Sequence, residues 1–572
     1  MPVHNSDVER LFQELADLLE IEGANPFRVR AYRNGARAVS GLTRSVADLV
    51  REGEDLSQYQ GIGKDLAQKI RELVSTGRIE ALEEARDRVE PGLRTLLAVP
   101  GLGPKRVKAL HDSLGLTSVD GLKQAARQGR IRTLSGFGAK TEQSILEELE
   151  HFQAEESRFN LAEVEDVADS LVSFLHGLQG VEQVTVAGSY RRRKETVGDL
   201  DILVIADQES GVTDHFVAYE DVREVISHGQ TRSSIVLQAG IQVDLRVVPE
   251  SSYGAALHYF TGSKAHNIAV RKLAQERDYK VNEYGVFQGQ EQIAGRTESS
   301  VYAAVDLVYI EPELREDRGE IQAAAEDRLP VLIEAADLRG DLHAHSQATD
   351  GKDSMETMAR AAQEMGYEYL ALTDHTQHLR MTGGLDAKRL AEQIEAIDRL
   401  NGRLSGFRLL KSTEVDILED GRLDLPDSIL QKLDLCVCSI HSKFKLARDR
   451  QTERVIRAMD NRNFTIFGHP SGRLLGSRPA YDIDMDRIIK AAAERGCSLE
   501  INSQPDRLDL TDTYCKAAKE AGVTMAISTD AHRTADLQLI RFGLSVARRG
   551  WLEAEDVLNT RPLDEMLTLI RR

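Results

Sequence analysis

"VGDLDILVI", residues 197–205, sets two aspartates, Asp199 and Asp201, at the head of an apolar run. Leu203, Val204 and Ile205 suit a buried strand, whereas an ionised carboxylate is costly to bury without a partner. Alternate residues of a strand face one side. The two carboxylates therefore project together, while Leu200 and Ile202 turn into a core. Like charges held that close call for a cation, and its identity depends on what else surrounds the pair.

The surroundings are informative. The longer stretch "VTVAGSYRRRKETVGDLDILV" (184–204) ends a strand at Gly188-Ser189 and follows it with a basic segment. Small residues let a phosphate approach the backbone, and Ser189 and Arg192 can donate hydrogen bonds to it. A third acid, Asp244, lies in another strand-like run, "QVDLRVV" (242–248). Three carboxylates beside a phosphate cradle are the parts of a two-metal phosphoryl-transfer site. An all-oxygen site of this kind favours Mg²⁺, with Mn²⁺ as a substitute. Strand candidates "QVTVAG", "DLDILVIA", "SIVLQ" and "IQVDLRVV" alternate with helical patterns across 160–250, and 250–315 is mixed.

The first 150 residues read as helical, as in "DVERLFQELADLLEIEG", with apolar residues at i, i+3, i+4 spacing. Three glycine turns recur there: "GIGK" (61–64), "GLGPK" (101–105) and "GFGAK" (136–140). A G-h-G turn before a helix exposes backbone N–H groups that can seat a phosphate oxygen, and Lys64, Lys105 and Lys140 add charge. One such turn would merely cap a helix. Three, each followed by lysine, resemble helix-hairpin-helix motifs that grip a nucleic-acid backbone without reading sequence. Gly61, Gly63, Lys64, Gly101, Gly103, Lys105 and Lys108 are the candidate DNA contacts.

Taken together, Gly188-Ser189, Arg192, Gly198-Asp199-x-Asp201 and Asp244 resemble the nucleotidyltransferase core of family X DNA polymerases. The resemblance continues through "YFTGS" (259–263), Asn267, Arg271 and "VNEYGVF" (281–287), and back through the glycine turns. It implies that Asp199, Asp201 and Asp244 are the catalytic metal ligands, with Asp244 helping to deprotonate the primer 3′-hydroxyl. Ser189, Arg192 and Gly198 would hold the triphosphate, with Gly188 beside them. Tyr259, Phe260 and Gly262 would line the sugar pocket, and Asn267 and Arg271 would contact the nascent pair or template. Arg193 and Lys194 depart from the small residues expected after the arginine pair. Lys69 matches the position where some members use an amine nucleophile on an abasic-site sugar, with Arg28 and Tyr32 partly matching its supporting residues. A solvated helix lysine touching phosphate is the other reading of Lys69.

From about residue 338 the rhythm changes. Strand-like runs "LRGDLHAHS", "YLALTDH", "FRLLKSTEVD", "LDLCVCSIHS", "FTIFGHP", "CSLEINS" and "MAISTDAH" alternate with helical patterns, giving seven βα units. Functional groups of such barrels gather at the C-terminal strand ends, where His343, His345, His375, Glu414, His441, His469, Asp530 and His532 fall, with Asp350 in the loop after the first strand. His with Asp/Glu suits Zn²⁺ or Mn²⁺. Nine ligands suffice for up to three ions, with Glu414 as a bridge, while His378 reads as structural. H-x-H, T-D-H, S-x-H, G-H-P and D-A-H in this order resemble the PHP (polymerase and histidinol phosphatase) domain. That resemblance implies metal-dependent phosphoester hydrolysis. Arg380 and Arg473, in loops after strands, are candidate phosphate contacts.

The expected architecture is multidomain. An all-α region comprises a helix-hairpin-helix domain (1–90) and a fingers-like helical domain (91–158). An α+β palm (159–249) and thumb (250–316) follow, then an acidic linker (317–337) and a (βα)7 PHP barrel (338–572). The net charge of −20 would discourage nucleic-acid binding by the whole chain, but local patches decide. Residues 100–140 carry eight Lys/Arg against two Asp, and 311–337 carry nine acids against three arginines. No run approaches the roughly 18 apolar residues of a membrane span. The four cysteines lack zinc-ribbon spacing, which fits reduced thiols in a cytoplasm. The sequence thus points to a monomeric, cytoplasmic polymerase for gapped or primer-template DNA and dNTPs. The barrel is expected to be a 3′–5′ exonuclease. The alternatives are a barrel that hydrolyses a small phosphate ester and a DNA-end binding protein with inactive sites.

Overall fold

The stripe Val8, Phe12, Leu15, Leu18 and Leu19 recurs every three or four residues, and in the computed structural model it is the buried face of a helix, Asn5–Ile21. The structure describes residues 5–42, 46–76, 78–97, 99, 102–134, 136–138, 141–143, 145–146 and 158–571. The chain forms two units, Met1–Ser157 and Arg158–Arg572. The first is all helical among its described residues. Helices Pro26–Ser40, Lys64–Thr76, Pro104–Leu114 and Val119–Arg127 bury their apolar faces in one cluster with the first helix. Gly101 and Lys140 lie outside the described residues.

The second unit begins with the palm. Its strands are β1 (Val181–Val186), β2 (Asp199–Ala206), β3 (Val222–His228), β4 (Arg232–Leu237) and β5 (Gln242–Val247), in the order β1-β2-β5-β4-β3. β2 and β5 are parallel neighbours and the other pairings are antiparallel. Leu200, Ile202 and Val204 of β2 pack with Leu171 and Leu175 of helix Leu161–His176 in one core. That packing fixes which face of β2 carries the aspartates. β3 escaped sequence reading: it is an edge strand exposed along most of its length, without the apolar alternation that marks its neighbours.

The thumb follows with helices Tyr253–Thr261 and Lys264–Gln275 and a meander of β6 (Tyr279–Asn282), β7 (Gly285–Gln288) and β8 (Glu291–Ala294). The stretch expected as a linker, 317–337, joins thumb to barrel as a packed segment rather than a free one. Glu320, in helix Glu320–Ala325, is fully buried with Oε1 2.7 Å from His266 Nδ1. Leu332 bridges to Glu553. Of the segment's acids Glu320 alone is buried, while Asp317, Glu326, Asp327 and Glu334 face solvent.

The barrel has seven parallel strands. They are β9 (Gly340–Ala344), β10 (Tyr369–Leu372), β11 (Arg408–Lys411, resumed at Glu414–Asp416), β12 (Val437–Ser439), β13 (Ile466–Phe467), β14 (Ser498–Asn502) and β15 (Met525–Ser528). Each pairs with the next, and an Ala344–Ala531 bridge joins the first to the last and closes the barrel. Alternation sorts the side chains. Ala371, Leu410, Val437, Ile466 and Ala526 form one cluster with the C-terminal helix Leu563–Leu569 region, whereas Leu370, Leu372 and Leu409 join the larger core.

Candidate active sites

In the palm, β2 and β5 run in register so that Asp201 stands opposite Asp244 and Asp199 opposite Gln242. The three carboxylates therefore share one face of the β2–β5 pair. Burial, and then the charges of Asp199 and Asp244, push Asp201 up to about 7. Burial and Asp244 raise Asp199 as well. A carboxylate cluster of this kind binds either a proton or a metal ion. Ser234 Oγ donates to Asp244 Oδ1 from the adjacent strand. Gly188 has φ +65°, and a Cβ there would sit 3.1 Å from Asp201 Oδ2. Only glycine lets the turn pass so close to the acids.

The other palm and thumb candidates fall into small connected groups. Ser189 lies in the short helix Gly188–Arg191, and Gly198 directly precedes β2. Arg192 Nη1 donates to the Thr261 carbonyl (2.5 Å) and Nε to Glu316 Oε1 (3.1 Å), beside Gly262. Phe260 packs its ring under Arg246, 4.3 Å away, and Arg246 lies two residues beyond Asp244 on β5. Asn267 Nδ2 donates to the Tyr259 carbonyl (2.7 Å), and Arg271 Nε to the Asn267 carbonyl (3.1 Å). These hydrogen bonds tie Tyr259, Asn267 and Arg271 into one group.

In the first unit, Gly61 has φ +92° and Lys64 begins the helix Lys64–Thr76. Gly103 caps Pro104–Leu114, with no atom within 4 Å of where its Cβ would be. Lys105 is exposed, and Lys108 pairs with Asp112 at 3.3 Å. Lys69 lies 3.9 Å from Glu72 on the same helix. The Tyr32 hydroxyl is 3.3 Å from Asp65 Oδ2.

All nine barrel candidates converge. Three overlapping groups, His345/Asp350/His375/His532, His343/His345/Asp530 and His375/Glu414/His441, each keep their ligand atoms within 4.8 Å. His469 Nε2 adds to the last, 2.9 Å from Glu414 Oε1. Glu414 faces His375 Nδ1 at 2.8 Å with one oxygen and His441 Nε2 at 3.2 Å with the other. Ligands about 2.1 Å from a tetrahedral ion lie about 3.3 Å from one another, the range seen here. His343 Nε2, His345 Nδ1 and His375 Nδ1 are buried without a hydrogen-bond partner. Orphaned imidazole nitrogens beside carboxylates fit a metal cluster. Electrostatics agree: burial and the neighbouring His375 hold His345 down to about 4. Burial opposes charging His375, yet Glu414 and Asp350 raise it to about 10. The acids thus draw in protons where ions would bind.

Sequence reading missed the layer behind these ligands. Glu500 Oε1 holds His343 Nδ1 at 2.7 Å, and its other oxygen accepts the His469 backbone N–H. Asp416 Oδ1 lies 3.2 Å from His441 Nδ1. Fixing one imidazole nitrogen aims the other. The signal was present: Asp416 follows Glu414 by two residues, and Glu500 interrupts the apolar "CSLEINS". Arg473 is a correction. Its guanidinium is spent on Glu195 of the palm (2.6 and 3.2 Å) and on the Arg507 and Leu508 carbonyls. Arg507 is the arginine at the ligand set, with Nε 3.7 Å from Asp530 Oδ2 and Nη1 buried and unpartnered. His378 stands outside the ligand groups, its backbone N–H bound by Asp424.

Comparison with known proteins covers both halves. The sequence matches the family models for a helix-hairpin-helix domain (3–79), a SAM-like helix-hairpin-helix tandem (93–151), the DNA polymerase beta palm (158–255), the DNA polymerase beta thumb (256–316) and the PHP domain (341–504). It is 37% identical to the DNA polymerase/3′-5′ exonuclease PolX of Bacillus subtilis (strain 168), over 100% of each chain. It is 34% identical to a probable phosphatase of Thermoanaerobacter sp. (strain X514), over 38% of this chain and 85% of that one. Against DNA polymerase lambda of Rattus norvegicus it is 25% identical over 55% of this chain and 56% of that one.

Proposed function

This chain belongs to the PolX family of bacterial family X DNA polymerases with a PHP domain, and from that membership we propose that it fills short gaps at its palm and trims 3′ ends in its barrel. The observation that carries the reading is that one unit holds two separate ligand sets, three oxygen-only carboxylates on β2 and β5 and nine His/Asp/Glu residues at the barrel mouth. DNA and dNTPs are its substrates. Gapped or primer-template duplex, gripped by Lys64, Lys105 and Lys108 at the glycine turns, is the form we assign. It would act as a monomer in the cytoplasm; all four cysteines are free and buried, as a reducing compartment allows.

In the palm, Asp199, Asp201 and Asp244 would hold Mg²⁺ or Mn²⁺. Bound ions would supply charge neutralisation for the attacking and leaving oxygens. Ser189, Arg192 and Gly198 receive the triphosphate, and Tyr259, Phe260 and Gly262 position the sugar. Asn267 and Arg271 face the nascent pair, and Asp244 takes the proton of the primer 3′-hydroxyl. In the barrel, the nine residues would hold up to three Mn²⁺ or Zn²⁺ ions, with Glu500 and Asp416 orienting His343 and His441. Arg507 is assigned to the phosphate at the scissile end: its Nε lies 3.7 Å from Asp530 Oδ2, and its Nη1 has no hydrogen-bond partner. Lys69 is assigned an abasic-site lyase role. Borohydride should then trap a covalent adduct on an incised abasic site with the native chain, and trapping that persists in Lys69→Ala rules Lys69 out.

A labelled gapped duplex tests the main reading. The strand should lengthen with dNTPs and Mg²⁺, and shorten in Mn²⁺ without dNTPs. The barrel's likeness to a probable phosphatase sets the competing outcome. If no nucleotide is released while p-nitrophenyl phosphate is hydrolysed, the barrel is a small-ester phosphatase.

A further inference from the structure

The loop between Ser189 and Asp199 is held from outside the palm. Arg191 is paired with thumb Glu298 (2.7 Å). Arg193 Nε donates to Ser545 Oγ of the barrel (3.0 Å), and Glu195 accepts both ends of the Arg473 guanidinium. Arg549, at the end of barrel helix Ile540–Arg549, donates to the Arg192 carbonyl (2.8 Å) and to Glu316 Oε1 (3.2 Å). Glu316 Oε1 is also the acceptor for Arg192 Nε. Arg192 is thus held twice by one buried barrel arginine, through its backbone and through a shared carboxylate. The unusual Arg193 and Lys194 find their use here: Arg193 reaches Ser545, and Lys194 is half-buried near Arg549 and Glu316.

We propose that the barrel forms the rear support of the polymerase nucleotide site, with Arg549 and Ser545 as positioning residues that hold the 191–195 loop, and through it Arg192, ready for a triphosphate. The inference rests on the reading that Arg192 binds the triphosphate. A basic loop of five residues free in solvent would lose its conformational freedom each time a nucleotide bound. Bolted to the barrel, it has met that cost in folding. The support is buried, Arg549 being 2% exposed, so salt screens it little. It also needs none of the barrel's metal ligands. The barrel would therefore serve polymerisation whether or not its nuclease is active.

Steady-state gap filling by the full chain tests this. Arg549→Lys keeps the charge but cannot reproduce the fork, in which Nη1 reaches Arg192 and Glu316 while Nη2 holds Asp512 at 2.7 Å. It should raise the KM for dNTP about tenfold, as loss of hydrogen bonds to charged groups does. The kcat and the Mn²⁺-dependent trimming should stay within about twofold. Should that variant fail to fold, Arg193→Ala, Ser545→Ala and their combination decide. Each should raise KM by the same factor, the double no further than either single, and Ser545→Thr should restore the native value. An unchanged KM in Arg549→Lys, or additive effects in the cycle, overturns the proposal. Arg192→Ala separates the two readings. A raised KM there beside an unchanged one in Arg549→Lys strikes the positioning role alone. An unchanged KM in Arg192→Ala strikes the triphosphate role itself.

Discussion

The palm and the barrel both gather acids for metal ions, but they do so in opposite ways. The palm offers three carboxylates on one sheet face, repelling one another, with Asp201 pushed up to about 7. The barrel surrounds Glu414 with imidazoles, which hold its carboxyl well below the usual range although burial would raise it. One site is left short of positive charge until a charged substrate complex arrives. The other is already assembled, its ligands aimed by Glu500 and Asp416. On the reading proposed above, the palm would share its ions with the incoming nucleotide, whereas the barrel would keep its own.

The sharpest way to break that contrast is reciprocal mutation. Asp201→Ala should lower nucleotide addition at least about a thousandfold, since several kcal/mol of charge stabilisation go with the ions, and leave trimming intact. His343→Ala should do the converse. If either change silences both activities in a folded protein, the two centres are not independent.

Next in size is the retention of ions. Desalted native protein should carry up to three equivalents of transition metal by elemental analysis. Asp201→Ala should keep them and His343→Ala should lose them. Native protein that emerges metal-free, yet trims DNA once Mn²⁺ is added, would place the barrel beside the palm as a site that borrows its ions.

The seam between the domains sharpens the contrast on a third axis, because its acids are satisfied by protein cations alone. Burial would raise Glu316, but Arg549, Lys194 and Arg192 hold it down to about 2. Burial likewise opposes Glu298, which Arg191 and Arg315 hold at about 2. A folded pKa below the unfolded value gives stability that is present above about pH 4.5 and is lost as pH falls toward 2, about 3 kcal/mol for each group. Thermal melts should therefore drop steeply between pH 5 and pH 3 whether or not metal is present. A flat profile would mean that these pairs do not hold the seam.

The smallest effect concerns the grip that both sites share. Neutralising Lys105 and Lys108 together should weaken duplex binding and flatten its salt slope, by up to about 0.9 for each phosphate that the lysines no longer neutralise. Gap filling and trimming should suffer by the same factor. An unchanged slope would leave the glycine turn as a helix cap.

Much of this was legible in the chain itself. Strand-like runs gave β2 and β5 and all seven barrel strands, and eight strand-end residues with Asp350 in the following loop are the nine that the structure brings together. The failures share one physical cause. β3 is an exposed edge whose pairing, not its pattern, makes it a strand. Arg473 reads locally as a phosphate ligand, but its partner Glu195 lies 278 residues away. The acidic 317–337 segment reads as solvated until His266 is seen against Glu320. Local pattern fixes which face a residue takes. It does not say which distant surface will meet that face.

The closure of the barrel at Ala344 and Ala531 has a consequence in time. It sets His345 against Asp530, 3.1 Å apart across 185 residues of chain. During synthesis the palm carboxylates are complete once Asp244 has emerged from the ribosome. The nuclease ligands must wait for Asp530 and His532, about 15 to 60 s later at typical elongation rates. Ions bound at that seam would lace the earliest barrel strand to the latest one, so the growing chain would hold its three palm carboxylates before it could hold the full barrel set.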